Sequence, residues 1–188
     1  MAASLARIAA QFPRLARARD GATAVEFALI AAPFFMLLMG ILELALVFLV
    51  STTLEHATQD ASRMIRTGEF QSAGGVSSDD FETLVCDRLS WIGDSCKAQL
   101  DVDVRAYGSL KDMVTAQAGT PYDPEKACFE AGGPREVVLV RTSVRWKIYT
   151  PLLAPSMATT GDGKRLIQST TAFKNEPFLG DPPASACA

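Results

Sequence analysis

The stretch RARDGATAVEFALIAAP, Arg17 to Pro33, joins a basic segment to a long apolar run and sets one carboxylate, Glu26, at the join. A charged side chain in hydrocarbon is costly, and such residues usually mark a function. Downstream, Phe27 to Leu42 carries no charge, and 16 residues make about 24 Å of helix. Continuing past Glu43 to Val50 gives 24 residues, enough to cross a bilayer. The reading of this join decides the rest of the chain.

The 188 residues are 48% hydrophobic, with a mean hydropathy of +0.15. That value is high because the apolar residues are concentrated in one run. The formal net charge of −3 argues against general nucleic-acid binding, which needs a basic surface to displace counterions. Charge also divides by region. Before Gly21 there are four arginines and one acid, net +3; from Ser51 onward there are 14 basic and 18 acidic residues, net −4. Basic flanks stay on the cytoplasmic side, so the leader is expected inside and residues 51–188 outside. All four cysteines, Cys86, Cys96, Cys128 and Cys187, then lie outside, where an even number suits two disulfides. No C-x-x-C occurs and His56 is the one histidine, so no metal site is expected.

Three readings of the apolar run compete. A secretory signal peptide would be shorter and would end in a small-x-small cleavage site, whereas this run contains Glu43 and leads into STTLEHATQDAS. A plain single-span anchor accounts for length and orientation but leaves Gly21 and Glu26 unexplained. The third reading is a signal cut on the cytoplasmic side, so that the apolar run stays in the mature protein.

Gly21-Ala-Thr-Ala-Val-Glu26-Phe27 resembles the G/xxxxEF processing site of type IV-like prepilins. The longer string RDGATAVEFALIAAPFFMLLMGILELALVF resembles the start of TadE-like pseudopilins, minor pilins of tight-adherence (Flp) pilus systems. GGPREVVLVRTSVRWKIYTPLL and TTAFKNEPF are similar to the C-terminal part of TadE-like domains. The resemblance implies a minor pilin cut by a prepilin peptidase between Gly21 and Ala22, which assembles or primes a pilus. It implies other pilins, assembly-platform proteins and the bacterial inner membrane as partners, and no cofactor or nucleic acid. The chain would pass the membrane once, with its N-terminus cytoplasmic and its C-terminal domain periplasmic. A permanently anchored, unprocessed periplasmic interaction protein remains the alternative.

Cleavage would make Ala22 the new N-terminus and Glu26 its fifth residue, about 6 Å along the helix and at its positive end. Glycine suits such a site because backbone can then enter a narrow protease cleft without a side-chain clash. By the resemblance, Glu26 with Phe27 is an assembly contact, the carboxylate pairing with a free terminal amine; without it, Glu26 is an interfacial acid at a helix start. Glu43 reads as an acid snorkelling to the outer interface. Pro33 removes one backbone hydrogen bond and should loosen or bend the helix.

Beyond Val50 the residues Leu54, Ala57, Ala61, Met64 and Ile65 form a stripe at helical spacing, and Gly68 reads as a C-terminal cap. One helix of roughly 45 residues is predicted, its first half membrane-spanning and its second half packed on a head. FQSAGGVSS (70–78) reads as a linker. A second helix is expected over Asp79–Trp91, with Asp79 and Glu82 at capping-box spacing. Strand-like runs occupy Leu100–Ala106, Val137–Tyr149 and Arg165–Phe173. The first alternates Asp101, Asp103 and Arg105 with apolar residues and should show one wet face. Between the first two lies a long loop with a short helix over Lys111–Ala118. The expected class is α+β, pilin-like: residues 1–21 a leader, 22–50 a transmembrane helix, 51–188 the outer domain with about three antiparallel strands. Cys86 with Cys96, close in sequence, is the expected pair, leaving Cys128 with Cys187 by elimination; sequence leaves three arrangements open.

Nothing in the chain reads as a catalytic constellation. His56 stands alone, and no G-x-S-x-G, S-x-x-K, H-E-x-x-H or phosphate loop occurs. Asp101 and Asp103 read as a solvated strand edge, and Trp91 and Trp146 as core aromatics. The chain is therefore expected to be no enzyme; the resemblance implies that it is the substrate of one.

Overall fold

A computed structural model describes residues 22–74, 77–92, 95–119, 122–151, 153–179 and 187. Helix α1, Ala22–Thr67, is a single unbroken element of 46 residues. Pro33 lies inside it without interrupting it. Lacking an N–H, Pro33 leaves the carbonyl four residues earlier without its helical donor. The chain divides into two compact units between Leu44 and Ala45, each described by itself below.

In the second unit the elements follow as α2 (Glu69–Ser72), α3 (Ser78–Arg88), α4 (Cys96–Gln99), β1 (Leu100–Tyr107), α5 (Leu110–Gln117), β2 (Val137–Lys147), α6 (Ala154–Met157) and β3 (Lys164–Lys174). The strands form one antiparallel sheet in the order β1-β2-β3. The fold is α+β, a long N-terminal helix packed on a three-stranded antiparallel sheet.

The packing follows from two periodicities. Val50, Leu54, Ala57, Ala61 and Ile65 of α1 recur at three- and four-residue steps and are all buried. On the sheet, Val102 and Val104 of β1 and Val138, Val140, Thr142 and Val144 of β2 alternate onto one buried face. Burying each such Val, Leu or Ile side chain is worth about 1.5–3 kcal/mol. A polar pair crosses this interface: the hydroxyls of Thr58 and Thr142 lie 2.6 Å apart and fully buried. Thr58 Oγ1 also reaches the Leu54 carbonyl at 2.7 Å, so Thr58 donates there and accepts from Thr142. That geometry satisfies the buried pair and fixes the helix in register on the sheet.

Gly68 ends α1 in the left-handed region at φ 79°, with its N–H on the Ile65 carbonyl at 3.1 Å. The segment expected to be a linker differs from that reading. Its Phe70 sits on α2 and is buried with Phe81 and Phe129, ring centroids 5.8 to 6.3 Å apart. An aromatic side chain between glycines and serines has more to gain from the core than from water. The second helix is capped two residues earlier than expected. Ser77 is the N-cap and forms the capping box with Asp80 rather than Asp79 with Glu82, and the helix stops at Arg88.

Both cystine pairings match the expectation: Cys86 to Cys96 and Cys128 to Cys187. The second closes a separation of 59 residues, a loop worth on the order of 4 kcal/mol in the chain-entropy account. It fastens the outer edge of β1, where the Val104 N–H donates to the Cys128 carbonyl and the Glu130 N–H to the Val104 carbonyl, both at 2.8 Å.

Gly68 has a second constraint. A Cβ there would lie 2.5 Å from Cγ of the Phe178 ring. Gly68→Ala should therefore cost about 1–3 kcal/mol of head stability from backbone strain, read as a lower melting temperature by near-ultraviolet circular dichroism. Adding Phe178→Ala should recover the part due to the ring.

Candidate processing and assembly site

The described part of α1 begins at Ala22, and Gly21 lies outside the described residues. Glu26 is the fifth residue of α1 and is exposed. No acid falls in the first turn, so Glu26 opens the second. The helix dipole still favours an anion close to this end, by about 0.3–1 kcal/mol. Phe27 beside it is 71% exposed. Leu29, Ile30, Phe34, Phe35, Leu37 and Ile41 follow, all exposed. In water such a surface has no counterpart among stable monomers, which rarely expose contiguous apolar patches of more than a few hundred Å². In a bilayer it needs no cover, because lipid is the apolar partner and the helix satisfies its own backbone. By length and composition α1 is one candidate membrane span.

Glu43 is placed differently from the snorkelling expectation. It is 4% exposed and falls on the helix stripe that continues through Val47, Val50 and Leu54, while its neighbours Leu42 and Leu44 are exposed. At i, i+4, i+7 these positions share a helix face, so the residue belongs to the buried row and not to the outward one.

The acids of β1 overturn the solvated-edge reading. Asp103 is 1% exposed. Its Oδ1 accepts from Arg105 Nε at 2.9 Å and from the Cys128 N–H at 3.1 Å, and Oδ2 lies 3.7 Å from Arg141 Nε. Arg141 also donates to Gln117 of α5 and sits 5.2 Å from the Tyr122 ring centroid. Arg105 donates to the Lys126 carbonyl at 2.8 Å. The alternation predicted correctly which residues share the face; Asp103 at its centre is dry because α5 and the loop from Tyr122 to Cys128 lie over it, while Asp101 and Arg105 stay partly exposed. Register is the hidden variable, since Asp103 faces Arg141 and Asp101 faces Ser143 across the ladder. Asp101 pairs with Arg145 at 2.8 Å. Burial nonetheless pushes its carboxyl above the ordinary range, with Arg145 pulling the other way. Each carboxylate is committed to arginine, an arrangement that locks loops and leaves no free base.

His56 is exposed on α1. Trp91 is 45% exposed, which corrects its assignment to the core; Trp146 is partly buried, 6.5 Å from Trp91 between ring centroids. Trp91 follows the end of α3 in a single 3-10 turn, so it escapes the helix face that buries Phe81 and Val85. Among the described residues no group of three or more His, Cys, Asp or Glu could hold a metal ion.

Removing one partner of a buried ion pair strands the other. Asp103→Ala should destabilise the head by about 3–5 kcal/mol, measured by denaturant unfolding. Asp103→Asn, which keeps one acceptor, should cost less.

No curated relative and no solved structure matches the chain. Residues 21–63, from the glycine of the G-x-x-x-x-E motif through the exposed apolar helix and into the buried stripe, match the family described as TadE-like protein.

Proposed function

We propose that this chain is a minor pilin, or pseudopilin, of a tight-adherence (Flp) pilus, matured by cleavage between Gly21 and Ala22 and acting in pilus assembly or priming. The observation that carries the reading is the TadE-like match over residues 21–63, which holds Gly21, Glu26 and the exposed apolar helix in one segment. The TadE-like pilin family is structural rather than catalytic, and the peptide-bond chemistry at Gly21 belongs to a prepilin peptidase for which this chain is substrate. Residues 1–21 are then a cytoplasmic leader, 22–50 a single inner-membrane span, and 51–188 a periplasmic domain. The basic leader supports that orientation, and two disulfides suit an oxidising outer compartment. Other pilins and the assembly platform are the partners.

In this reading Glu26 pairs with a terminal ammonium, its own or a neighbour's. A carboxylate left alone in lipid is costly, and pairing offsets that cost. Phe27, exposed beside it, supplies apolar contact. An uncleaved, permanently anchored periplasmic protein is the second reading, since the same helix and the same disulfides serve it equally.

Intact-mass and N-terminal peptide analysis of the protein from its native membrane separates the two. A mature chain starting at Ala22 is expected; a start at Met1 or Ala2 in assembled pili would overturn the minor-pilin proposal. Glu26→Ala should leave cleavage largely intact and reduce pilus yield, scored by immunoblot of sheared pili. Normal pili from that variant would remove the amine-pairing role.

A further inference from the structure

The second unit has a defined polarity. At one end the Glu176 N–H donates to the Arg66 carbonyl at 2.9 Å, and Asn175 N–H to the Glu136 carbonyl at 2.8 Å, so the last turn of α1 meets the start of β2. Further back along the helix, Thr58 meets Thr142. Strand β2 therefore runs toward lower helix numbers. From Thr142 to Lys147 it advances about 17 Å, and the same distance back from Thr58 is about 11 helical residues, reaching the level of Val47. There the outward helix residues Leu46, Phe48 and Leu49 are exposed and apolar.

That end of the sheet carries a ladder of three aromatics. Trp91 stands 6.5 Å from Trp146, and Trp146 stands 6.5 Å from Tyr149, between ring centroids. Tyr149 is 65% exposed. Lys147 is exposed, its Nζ 5.6 Å from the Tyr149 ring. Arg145 and Lys164 complete a groove of about 500 Å³ in which no acid is among the described lining residues. Each is held from outside the groove, Arg145 by Asp101 at 2.8 Å and Lys164 by Asp162 at 2.6 Å. Lys147 has no ion pair among the described residues.

Tryptophan and tyrosine rings are amphipathic and concentrate at membrane–water interfaces, and lysines near a surface are attracted to anionic lipid. We infer that the Trp91–Trp146–Tyr149 ladder with Lys147 is a lipid-headgroup contact surface, which seats the base of the head on anionic phospholipid where α1 enters the bilayer. Two features point to lipid: the apolar helix residues continue at the same level, and Lys147 adds a cation with no ion pair among the described residues. A second copy docked through the same patch would set Lys147 against Lys147. The surface would fix head tilt in the membrane and would have to be released before a subunit joined a filament. This inference rests on the membrane-span reading of α1, though not on cleavage at Gly21.

Trp91 and Trp146 are the only two tryptophans in the chain, so intrinsic fluorescence reports on this patch. The full chain is reconstituted into phosphatidylcholine vesicles with and without phosphatidylglycerol, carrying nitroxide either on the headgroup or at mid-chain. Headgroup nitroxide should cause the larger loss of emission, and phosphatidylglycerol should increase that loss. Lys147→Ala should abolish the phosphatidylglycerol increment while leaving emission in phosphatidylcholine unchanged. Unquenched emission from a chain that resists alkaline carbonate extraction would overturn the headgroup contact and leave the span intact. Extraction of the chain by carbonate would overturn the membrane reading, and this inference with it.

Discussion

Backbone amides in hydrocarbon have no water to bond, so a segment that enters lipid must satisfy itself. Ala22–Thr67, a candidate membrane span by length and composition, meets that constraint. The segment is helical throughout, and one helix presents two kinds of surface along its length. Up to Leu42 its large apolar side chains are exposed around the cylinder. From Val50 onward the large apolar residues keep to one buried stripe, with Glu55, Gln59 and Asp60 facing out. All-round apolar exposure thus gives way to one-sided burial, and the head is built on the one-sided part.

The head, in turn, depends on how its sheet is covered. One face takes the α1 stripe, with the buried Thr58–Thr142 pair as a polar contact that sets register. The other is closed by a loop, and Asp103 is the anchor of that closure. One buried carboxylate holds arginines from β1 and β2 and the Cys128 amide, and Cys128 is bonded to Cys187 near the end of the chain. A loop with few apolar residues cannot be held by the hydrophobic effect alone, so charge-assisted bonds and a disulfide hold it. Buried acids in such a knot are structural, each held by the groups it anchors.

Much of the fold is legible in local patterns. The period-3.6 stripe from Leu54 to Ile65 and the period-2 alternation in β1 are near-neighbour properties, and both elements form where those patterns lie. Gly68 is legible as a stop because left-handed backbone favours glycine. Less legible are residues whose surroundings come from distant sequence. Phe70 reads as linker until Phe129, far along the chain, packs against it. Asp103 reads as wet until the loop that covers it is placed. Trp91 reads as core because tryptophan usually is, yet it lies on a turn beyond α3 and is 45% exposed.

The candidate site divides the same way. Sequence by itself determined the G-x-x-x-x-E motif, its place at a basic-to-apolar border, and the length of the run behind it, because these depend only on residue order and hydropathy. Only the tertiary structure decided that Glu43 lies on the buried stripe, that Asp103 pairs with Arg141, and that three aromatics gather at one end of the sheet. Those facts depend on strand register and helix rotation, which the free energy of the whole packed domain selects and no short stretch of sequence encodes.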